Sequence, residues 1–214
     1  MPNFVLNGME FYNAPKNAGT TVRMWLKLYE EGLCQDFTPQ GYYNLAGVGL
    51  PRQWTDNTMG KPQFFTPGAS ENSRWCIIRD PVDRFVSAFT DKILREKLAP
   101  WTLDTCLSLM ESEEMERIAR SPEPTPLKQA ACHMLGQCFW FGKNRSYFDQ
   151  IFDIGDMNRV REFCEDVVFK MTLPNFHARN QSQSGVDKIK LSRNYRSRLE
   201  SIYAADYLAG WCSD

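Results

Sequence analysis

The sequence predicts an α/β fold in which a mostly parallel sheet lies between two layers of helices. Residues 9–13 and 74–79 have the length and apolar character of strands, and each leads through a short turn into a segment with helical spacing. Residues 150–154 form a third strand candidate that also leads into a helix. When helices connect successive strands, the strands pair in parallel and the helices cover the faces of the sheet.

The first strand–helix unit is followed by a long irregular segment. Its strand, residues 9–13, stops before Pro15, and its helix spans residues 20–31 with Gly32 as the end. The apolar positions that share one face of this helix are Val22, Trp25, Leu26 and Tyr29. Residues 35–73 hold five Gly and four Pro, which predicts an irregular excursion, and long excursions in compact domains are often functional.

The second unit begins with a strand whose centre is apolar throughout. Residues 74–79 are typical of a parallel strand that is buried on both faces. Asp80 is predicted to cap the next helix, with Pro81 at the first helical position. The apolar stripe of that helix consists of Phe85, Val86, Phe89, Ile93 and Leu94.

The rest of the chain continues the alternation. Further helices are predicted at residues 102–120, 127–135, 156–170 and 192–208. A proline-rich connector lies at residues 121–126 and a polar loop at 171–187. The connector is too short to divide the chain, so residues 1–214 are expected to form a single domain.

The composition is that of a globular protein. Apolar residues make up 43% and charged residues 24% of the 214 residues, and the formal net charge is −1. These values exclude a disordered chain, a coiled coil and a protein that coats nucleic acid through bulk positive charge. No apolar run approaches the ~18 residues of a membrane span, and the N-terminus lacks the pattern of a signal peptide. The protein is expected to be soluble, without a nucleic-acid partner or a membrane span.

Metal and disulfide chemistry are not predicted. The seven cysteines form no C-x-x-C pair, and the chain has only two histidines. The odd number and wide spacing of the cysteines argue against a disulfide framework and against a zinc site. The cysteines are expected to be mostly reduced and half-buried, and no metal is expected.

The turn between the first strand and its helix carries anion-binding chemistry. Residues 11–21 read FYNAPKNAGTT, so a lysine, a glycine and two threonines stand where the helix begins. The free N–H groups of a helix start favour an anion, Gly19 would let the backbone approach it, and Lys16 adds a positive charge. The order differs from the Walker A motif because the lysine precedes the glycine. A surface turn with incidental lysine and threonines is the alternative interpretation.

The turn after the second strand has a similar character. Arg79 ends the strand, where open α/β sheets bind ligands, and its planar guanidinium suits a phosphate. Ser87, two turns into the next helix, adds a hydroxyl. Alternatively, Arg79 pairs with Asp80 or Asp83 and only stabilises the turn.

Together, the two turns resemble the sulfotransferase superfamily. The order strand–PKNAGTT–helix followed by strand–RDPVDRFVSAF–helix is most similar to the carbohydrate sulfotransferases of the membrane-associated type and their bacterial relatives. Residues 147–156 and 195–211 are similar to the family's D-x-I-G strand and to its closing helix. The resemblance implies a P-loop-like three-layer sandwich. It further implies transfer of a sulfuryl group from 3′-phosphoadenosine 5′-phosphosulfate (PAPS) to a hydroxyl, with a carbohydrate as acceptor and PAP as product. The compartment would be the cytoplasm for a bacterial protein, or the Golgi lumen for a trimmed eukaryotic domain.

The resemblance also assigns residues to the donor. Lys16 would contact the sulfuryl group and the bridging oxygen, and would stabilise the charge of the leaving nucleotide. The 5′-phosphate would be held by the backbone of Asn17, Ala18 and Gly19 together with Thr20 and Thr21. Arg79 and Ser87 would hold the 3′-phosphate. Such in-line transfer depends on positioning and charge stabilisation, and these cations make a metal ion unnecessary.

The sequence leaves several candidates for the general base. His133 precedes Gln137 in a segment similar to the family's H-x-x-x-Q, and it is the first candidate for this catalytic role. A histidine in an apolar helix is otherwise a core residue. Asp36, Asp56 and His177 are the alternatives, although the two aspartates are also typical turn residues.

Two rival functions stay open at this point. A P-loop kinase-like phosphotransferase would need an acid at a strand end to bind Mg²⁺, for which Asp153 and Asp156 are available. A catalytically inactive PAPS- or anion-binding module would account for a missing base.

Two groups of residues have both a functional and a structural interpretation. A basic stretch near the C-terminus would bind an anion or form a solvated helix face, and it consists of Lys188, Lys190, Arg193, Arg196 and Arg198. Three aromatic residues of the excursion would stack on a sugar or on adenine, or form a small core, and these are Trp54, Phe64 and Phe65.

Overall fold

The described part of the chain is built on one four-stranded sheet. The structure is a computed structural model, and it describes residues 3–32, 70–174 and 187–212. The strands lie side by side in chain order as β1 (Phe4–Leu6), β2 (Met9–Tyr12), β3 (Ser73–Ile78) and β4 (Gln150–Asp153). The three predicted strands, β2 to β4, pair in parallel, whereas β1 pairs antiparallel with β2. The sheet is therefore mixed, with an edge strand that the sequence did not predict.

The helices follow the strands along the chain. The α-helices of the described ranges are α1 (Gly19–Glu31), α2 (Pro81–Phe89), α3 (Leu103–Glu111), α4 (Glu114–Ala119), α5 (Pro126–Met134), α6 (Gln137–Phe141), α7 (Met157–Phe163), α8 (Arg193–Ile202) and α9 (Ala204–Leu208). Two π-helical segments, Thr90–Arg95 and Cys164–Phe169, directly continue α2 and α7. Short 3₁₀ turns lie at Arg145–Tyr147 and Ile154–Asp156.

Helices pack against both faces of the sheet because its central strands are apolar on both. Successive side chains of a strand point to opposite faces. One face packs against α1 and α7 in a buried cluster that includes Phe11, Trp75, Ile77, Val22, Trp25 and Val160. The other face packs against α2, α5 and α6 in a cluster that includes Tyr12, Cys76, Ile78, Phe85, Ala131 and Phe141. The continuous apolar run of β3 is thus buried on both sides, as its sequence predicts.

The helices after β2 and β3 have the predicted ends. α1 ends at Gly32, whose φ of 67° is the left-handed conformation that glycine adopts readily. α2 begins with Pro81 at its first position, and the Asp80 carboxylate accepts a hydrogen bond from the Asp83 N–H at 2.8 Å. α1 is therefore terminated at its C-terminal end, whereas α2 is fixed at its N-terminal end, next to the turn after β3.

Three predicted helices are divided, contrary to the sequence prediction. The helix expected at residues 102–120 is split into α3 and α4 by Glu113, whose φ is 59°. The terminal helix expected at residues 192–208 is split at Tyr203, and the helix after Asp156 becomes π-helical at Cys164. Helical periodicity continues across these breaks, so the sequence pattern does not reveal them.

The described cysteines are free thiols, and four of them are more deeply buried than expected. Cys76, Cys106, Cys132 and Cys164 are fully buried in the two clusters. Burial raises the pKa of the Cys106 thiol to about 12, so that this thiol is protonated at neutral pH. Within residues 3–32, 70–174 and 187–212, no helix has the length and hydropathy of a membrane span.

Candidate anion-binding site

The turn between β2 and α1 presents backbone N–H groups at a helix start. No side chain caps the first turn of α1, and Ala18, which precedes the helix, has a φ of 59°. The turn is closed by a hydrogen bond from the Asn17 N–H to the Ala14 carbonyl at 3.2 Å. Uncapped N–H groups at the start of a thirteen-residue helix favour an anion in front of them. Thr20 is exposed and Thr21 is half-buried in this first turn.

Gly19 also has a packing role in this turn. A Cβ atom at this position would lie 2.5 Å from Asn13 Nδ2, so the glycine makes room for the Asn13 side chain. The approach of a ligand to the Gly19 backbone stays a prediction.

Arg79 lies beside this turn, at the end of β3. Its Nη1 donates a hydrogen bond to the Lys16 carbonyl at 3.3 Å. Among the described residues, no carboxylate forms an ion pair with Arg79, and the alternative pairing with Asp80 or Asp83 is not seen. Burial lowers the pKa of Arg79, as expected for a guanidinium withdrawn from water. The structure thus brings the two sequence motifs together.

Lys16 lies in a cluster of three cations and two carboxylates. Its Nζ is 2.7 Å from Asp91 Oδ2, and Lys92 Nζ is 3.1 Å from the same oxygen. Arg95 pairs with the other oxygen of Asp91. Glu96 also pairs with Lys92 at 2.7 Å and with Arg95 at 3.4 Å, so three cations face two carboxylates. The cluster keeps one surplus positive charge, which favours an anion.

The charge of Lys16 is sensitive to its surroundings. Burial lowers the pKa of Lys16 to about 7, and the positive charges of Lys92, Arg95 and Arg79 act in the same direction. The negative charge of Glu96 opposes this lowering of the pKa by favouring the charged ammonium. An anionic ligand at this place would stabilise the ammonium further.

The π-helical segment Thr90–Arg95 supplies the other members of this cluster. π-helices are rare, and they occur frequently at functional sites. This segment carries Asp91, Lys92 and Arg95, none of which the sequence analysis selected. The sequence could have indicated Asp91 as a site residue. It follows the candidate Ser87 by four residues, which is about one turn along a continuous helix, so both would lie on the same helix face.

His133 lies within the field of the same cations. Its pKa is lowered to about 3, first by burial and then by the positive charges of Lys92, Lys16 and Arg84. Its Nδ1 is 2.7 Å from the Gln129 carbonyl oxygen. Because a carbonyl can only accept, Nδ1 carries the proton and Nε2 is an acceptor in the neutral ring.

Arg84 connects the first turn with the helix that carries His133. This arginine is fully buried, and its Nη1 donates to the Pro15 carbonyl at 3.3 Å and to the His133 carbonyl at 3.2 Å. Its Nη2 donates to the Leu135 carbonyl. Arg84 therefore satisfies free carbonyls at the end of α5 and fixes that end against the turn.

The remaining sequence candidates are a serine of α2, two capping aspartates and residues outside the described ranges. Ser87 is half-buried in the second turn of α2. Asp153 and Asp156 accept hydrogen bonds from the N–H groups of Gly155 and Arg159 as turn and helix caps. The candidates outside the described residues are Asp36, Asp56, His177, Trp54, Phe64 and Phe65.

The basic stretch forms a charged surface at α8. Arg196 is 3.8 Å from Asp83, and Arg198 pairs with Glu111 at 2.9 Å. Lys188, Lys190 and Arg193 are exposed. Ion pairing by two of its five cations agrees with the solvated helix face.

These features define an α/β protein in which two strand–helix turns meet at a cluster of cations. The chain belongs to the sulfotransferase family, whose model matches residues 49–209. The match includes Arg79, Ser87 and His133, and it begins after the turn that carries Lys16. The comparisons with curated proteins and with solved structures give no match. Membership of the family supports sulfuryl transfer between a small-molecule donor and an acceptor.

Proposed function

We propose that the chain is a PAPS-dependent sulfotransferase that acts on a hydroxyl group of a carbohydrate. The observation that carries the proposal is the 3.3 Å hydrogen bond from Arg79 Nη1 to the Lys16 carbonyl, which puts the two turns next to each other. PAPS has phosphate groups at both ends of its ribose, and two adjacent cationic turns suit such a ligand. Residues 1–214 would form one sulfotransferase domain of the P-loop-like three-layer type. The carbohydrate acceptor rests on the resemblance of the two turn motifs.

The residues of the first turn would hold the reacting end of the donor. Lys16 would contact the sulfuryl group and the bridging oxygen, while Arg79 and Ser87 would hold the 3′-phosphate. The 5′-phosphate would be bound at the start of α1 by Asn17, Ala18, Gly19, Thr20 and Thr21. Support comes from the uncapped helix start and from the surplus of cations around Asp91.

The reaction would be an in-line displacement at sulfur. The acceptor oxygen forms a bond to sulfur, the bond from sulfur to the 5′-phosphate oxygen breaks, and PAP leaves with the electron pair. The proton of the acceptor hydroxyl passes to a base, for which His133 Nε2 is the described candidate. Lys16 would stabilise the negative charge that develops on the bridging oxygen.

Titration calorimetry separates this proposal from its two rivals. We expect PAP to bind in the absence of Mg²⁺ and to bind more tightly than ATP with Mg²⁺. The reverse order would favour the phosphotransferase, although Asp153 and Asp156 already act as caps. A transfer assay with PAPS and a panel of glycans then separates an enzyme from an inactive binding module.

Replacement of Arg79 by alanine should weaken PAP binding by about 10- to 100-fold. Hydrogen bonds to a charged group contribute about 1.5–3 kcal/mol, and each 1.4 kcal/mol is about tenfold in affinity. Calorimetry measures the loss, with Arg117→Ala as a control because Arg117 is an exposed arginine that pairs with Glu114. Unaltered PAP affinity in Arg79→Ala would show that the second turn has another role.

The pH dependence of kcat/KM should follow the protonation of the Lys16 side chain. The charged ammonium is the form that would bind the sulfuryl group, and the pKa of Lys16 is lowered to about 7. Activity at low donor concentration should therefore decline as the pH rises through about 7, because Lys16 loses its proton. Lys16→Arg should move this decline to higher pH, since arginine stays charged. A profile that is flat through neutral pH in the native protein would contradict the assignment.

A further inference from the structure

Gln137 is a fully buried polar side chain that lies between the two turns. It is the first residue of α6, and its exposed fraction is 0%. A buried amide restricts the positions of the groups to which it is hydrogen-bonded, because each broken hydrogen bond leaves a buried polar atom without a partner.

The side chain of Gln137 uses all of its hydrogen-bonding capacity. Nε2 donates to the Arg79 carbonyl at 2.9 Å and to the Trp211 carbonyl at 2.5 Å. Oε1 accepts from the Arg79 N–H at 3.1 Å and from Asn17 Nδ2 at 2.7 Å. An amide has two donor hydrogens and two acceptor lone pairs, so the orientation of this group is fixed.

Asn17 extends the connection into the first turn. Its side chain is fully buried, and Nδ2 donates both to Gln137 and to the Ile77 carbonyl at 2.8 Å. One chain of hydrogen bonds therefore runs from the turn after β2, through Gln137, to the backbone of Arg79 after β3.

Gln137 is itself held by the C-terminal helices. The Asp206 carboxylate accepts hydrogen bonds from the N–H groups of Gln137 and Cys138, each at 2.7 Å. A Cβ at Gly136 would lie 2.9 Å from Asp206 Oδ1, so the glycine permits this close approach. The start of α6 is thus held by α9 as well as by the two turns.

We propose that Gln137 is a positioning residue that sets the separation of the two turns, so that one ligand contacts both. This role rests on the proposed function, because only a ligand with two anionic ends needs the two turns to be held at a fixed distance from each other. A site that is already arranged for its ligand binds more tightly, since less conformational freedom is lost on binding.

Two ligands and two variants test this role. PAP would reach both turns, whereas adenosine 5′-phosphate lacks the 3′-phosphate and would reach the first turn only. Gln137→Met has nearly the same size and removes the four hydrogen bonds. Leu107→Ala is the control, because Leu107 is fully buried in α3 and its truncation costs stability without a polar contact.

Calorimetry measures the affinity of each variant for both ligands. Denaturant unfolding measures the stability of each variant. We expect Gln137→Met to weaken PAP by about 10-fold and to change adenosine 5′-phosphate by less than about twofold. Leu107→Ala should lose stability and keep both affinities. If Gln137→Met does not fold, Gln137→Asn retains the amide on a side chain one methylene shorter and should weaken PAP with adenosine 5′-phosphate little changed.

Each other outcome decides against a specific statement. Equal weakening of both ligands in Gln137→Met, or unchanged PAP affinity, would show that Gln137 is only structural. If the native protein binds PAP no better than adenosine 5′-phosphate, the proposed function is wrong and the positioning role is lost with it.

Discussion

Replacing Lys16 by alanine is expected to lower the turnover of sulfuryl transfer by about 100-fold or more. The leaving PAP gains negative charge in the transition state, and the Lys16 ammonium is the cation that would face it. Its place in the site is defined by Asp91, at 2.7 Å, and by the hydrogen bond from Arg79 to its carbonyl at 3.3 Å. Turnover at saturating PAPS measures the effect, because saturation removes changes in donor affinity.

The loss in Lys16→Ala should not come from unfolding. Asp91 keeps Lys92 and Arg95 as partners in the variant, so its carboxylate is not left buried without a cation. Lys27→Ala is a matched control, since Lys27 lies in α1, the helix that follows the turn, and pairs with Glu31 at 2.6 Å. Unchanged turnover in Lys16→Ala, or an equal loss in Lys27→Ala, would remove Lys16 from the catalytic role.

The sequence predicts the turns well because their signals are local. The apolar strands that end at Tyr12 and Ile78 are buried on both faces, and a buried strand has the same pattern wherever it pairs. The Asp80-Pro81 start of α2 is likewise a property of adjacent residues. Local signals therefore suffice to place Lys16 and Arg79 at the ends of neighbouring parallel strands.

The connections between the turns depend on residues that are distant in sequence. Arg84 contacts carbonyls of Pro15 and His133, and Gln137 contacts Asn17 and Arg79. In the sequence, Arg84 looks like one more charged residue of a helix, and Gln137 is only part of a resemblance around His133. Their partners are defined only when the chain is folded, so a pattern along the chain cannot identify them.

The helix breaks were missed for a related reason. Glu113 adopts a φ of 59° although it is neither glycine nor asparagine, and Tyr203 interrupts the C-terminal helix while its hydroxyl donates to the Met134 carbonyl at 2.5 Å. Both residues suit a helix by their own propensity. At Tyr203, which is buried, a tertiary contact overrides that propensity without a local marker, and the φ of Glu113 has no marker in the sequence either.

Replacing His133 by alanine is expected to lower transfer by about 100-fold or more while PAP binding stays within about twofold. The hydrogen bond from Nδ1 to the Gln129 carbonyl leaves Nε2 free of its proton, as a base requires. PAP binding should be spared because the ring is neutral and contributes no charge to the anion site. Steady-state transfer and calorimetry with PAP measure the two effects.

Two companion experiments separate a proton acceptor from a packing residue at this position. Cys132→Ala changes the neighbouring buried residue of α5 and should keep its activity. Added imidazole should partly restore transfer in His133→Ala, since it can enter the space of the missing ring and accept the proton. Full activity of His133→Ala without imidazole would show that His133 is not the base, and Asp36, Asp56 and His177 would then be the candidates.

The low pKa of His133 gives this assignment a further test. In the free protein the pKa is about 3, because the ring is buried and the charges of Lys92, Lys16 and Arg84 repel a second proton. A bound PAPS anion would cancel part of that positive charge and so raise the pKa of His133, which makes the ring a stronger base when the donor is present. The acidic limb of kcat, which reports the loaded enzyme, should therefore lie at higher pH than the acidic limb of kcat/KM, which reports the free enzyme. Coincident acidic limbs would mean that the titrating group does not sense the donor, and His133 would then not be the base.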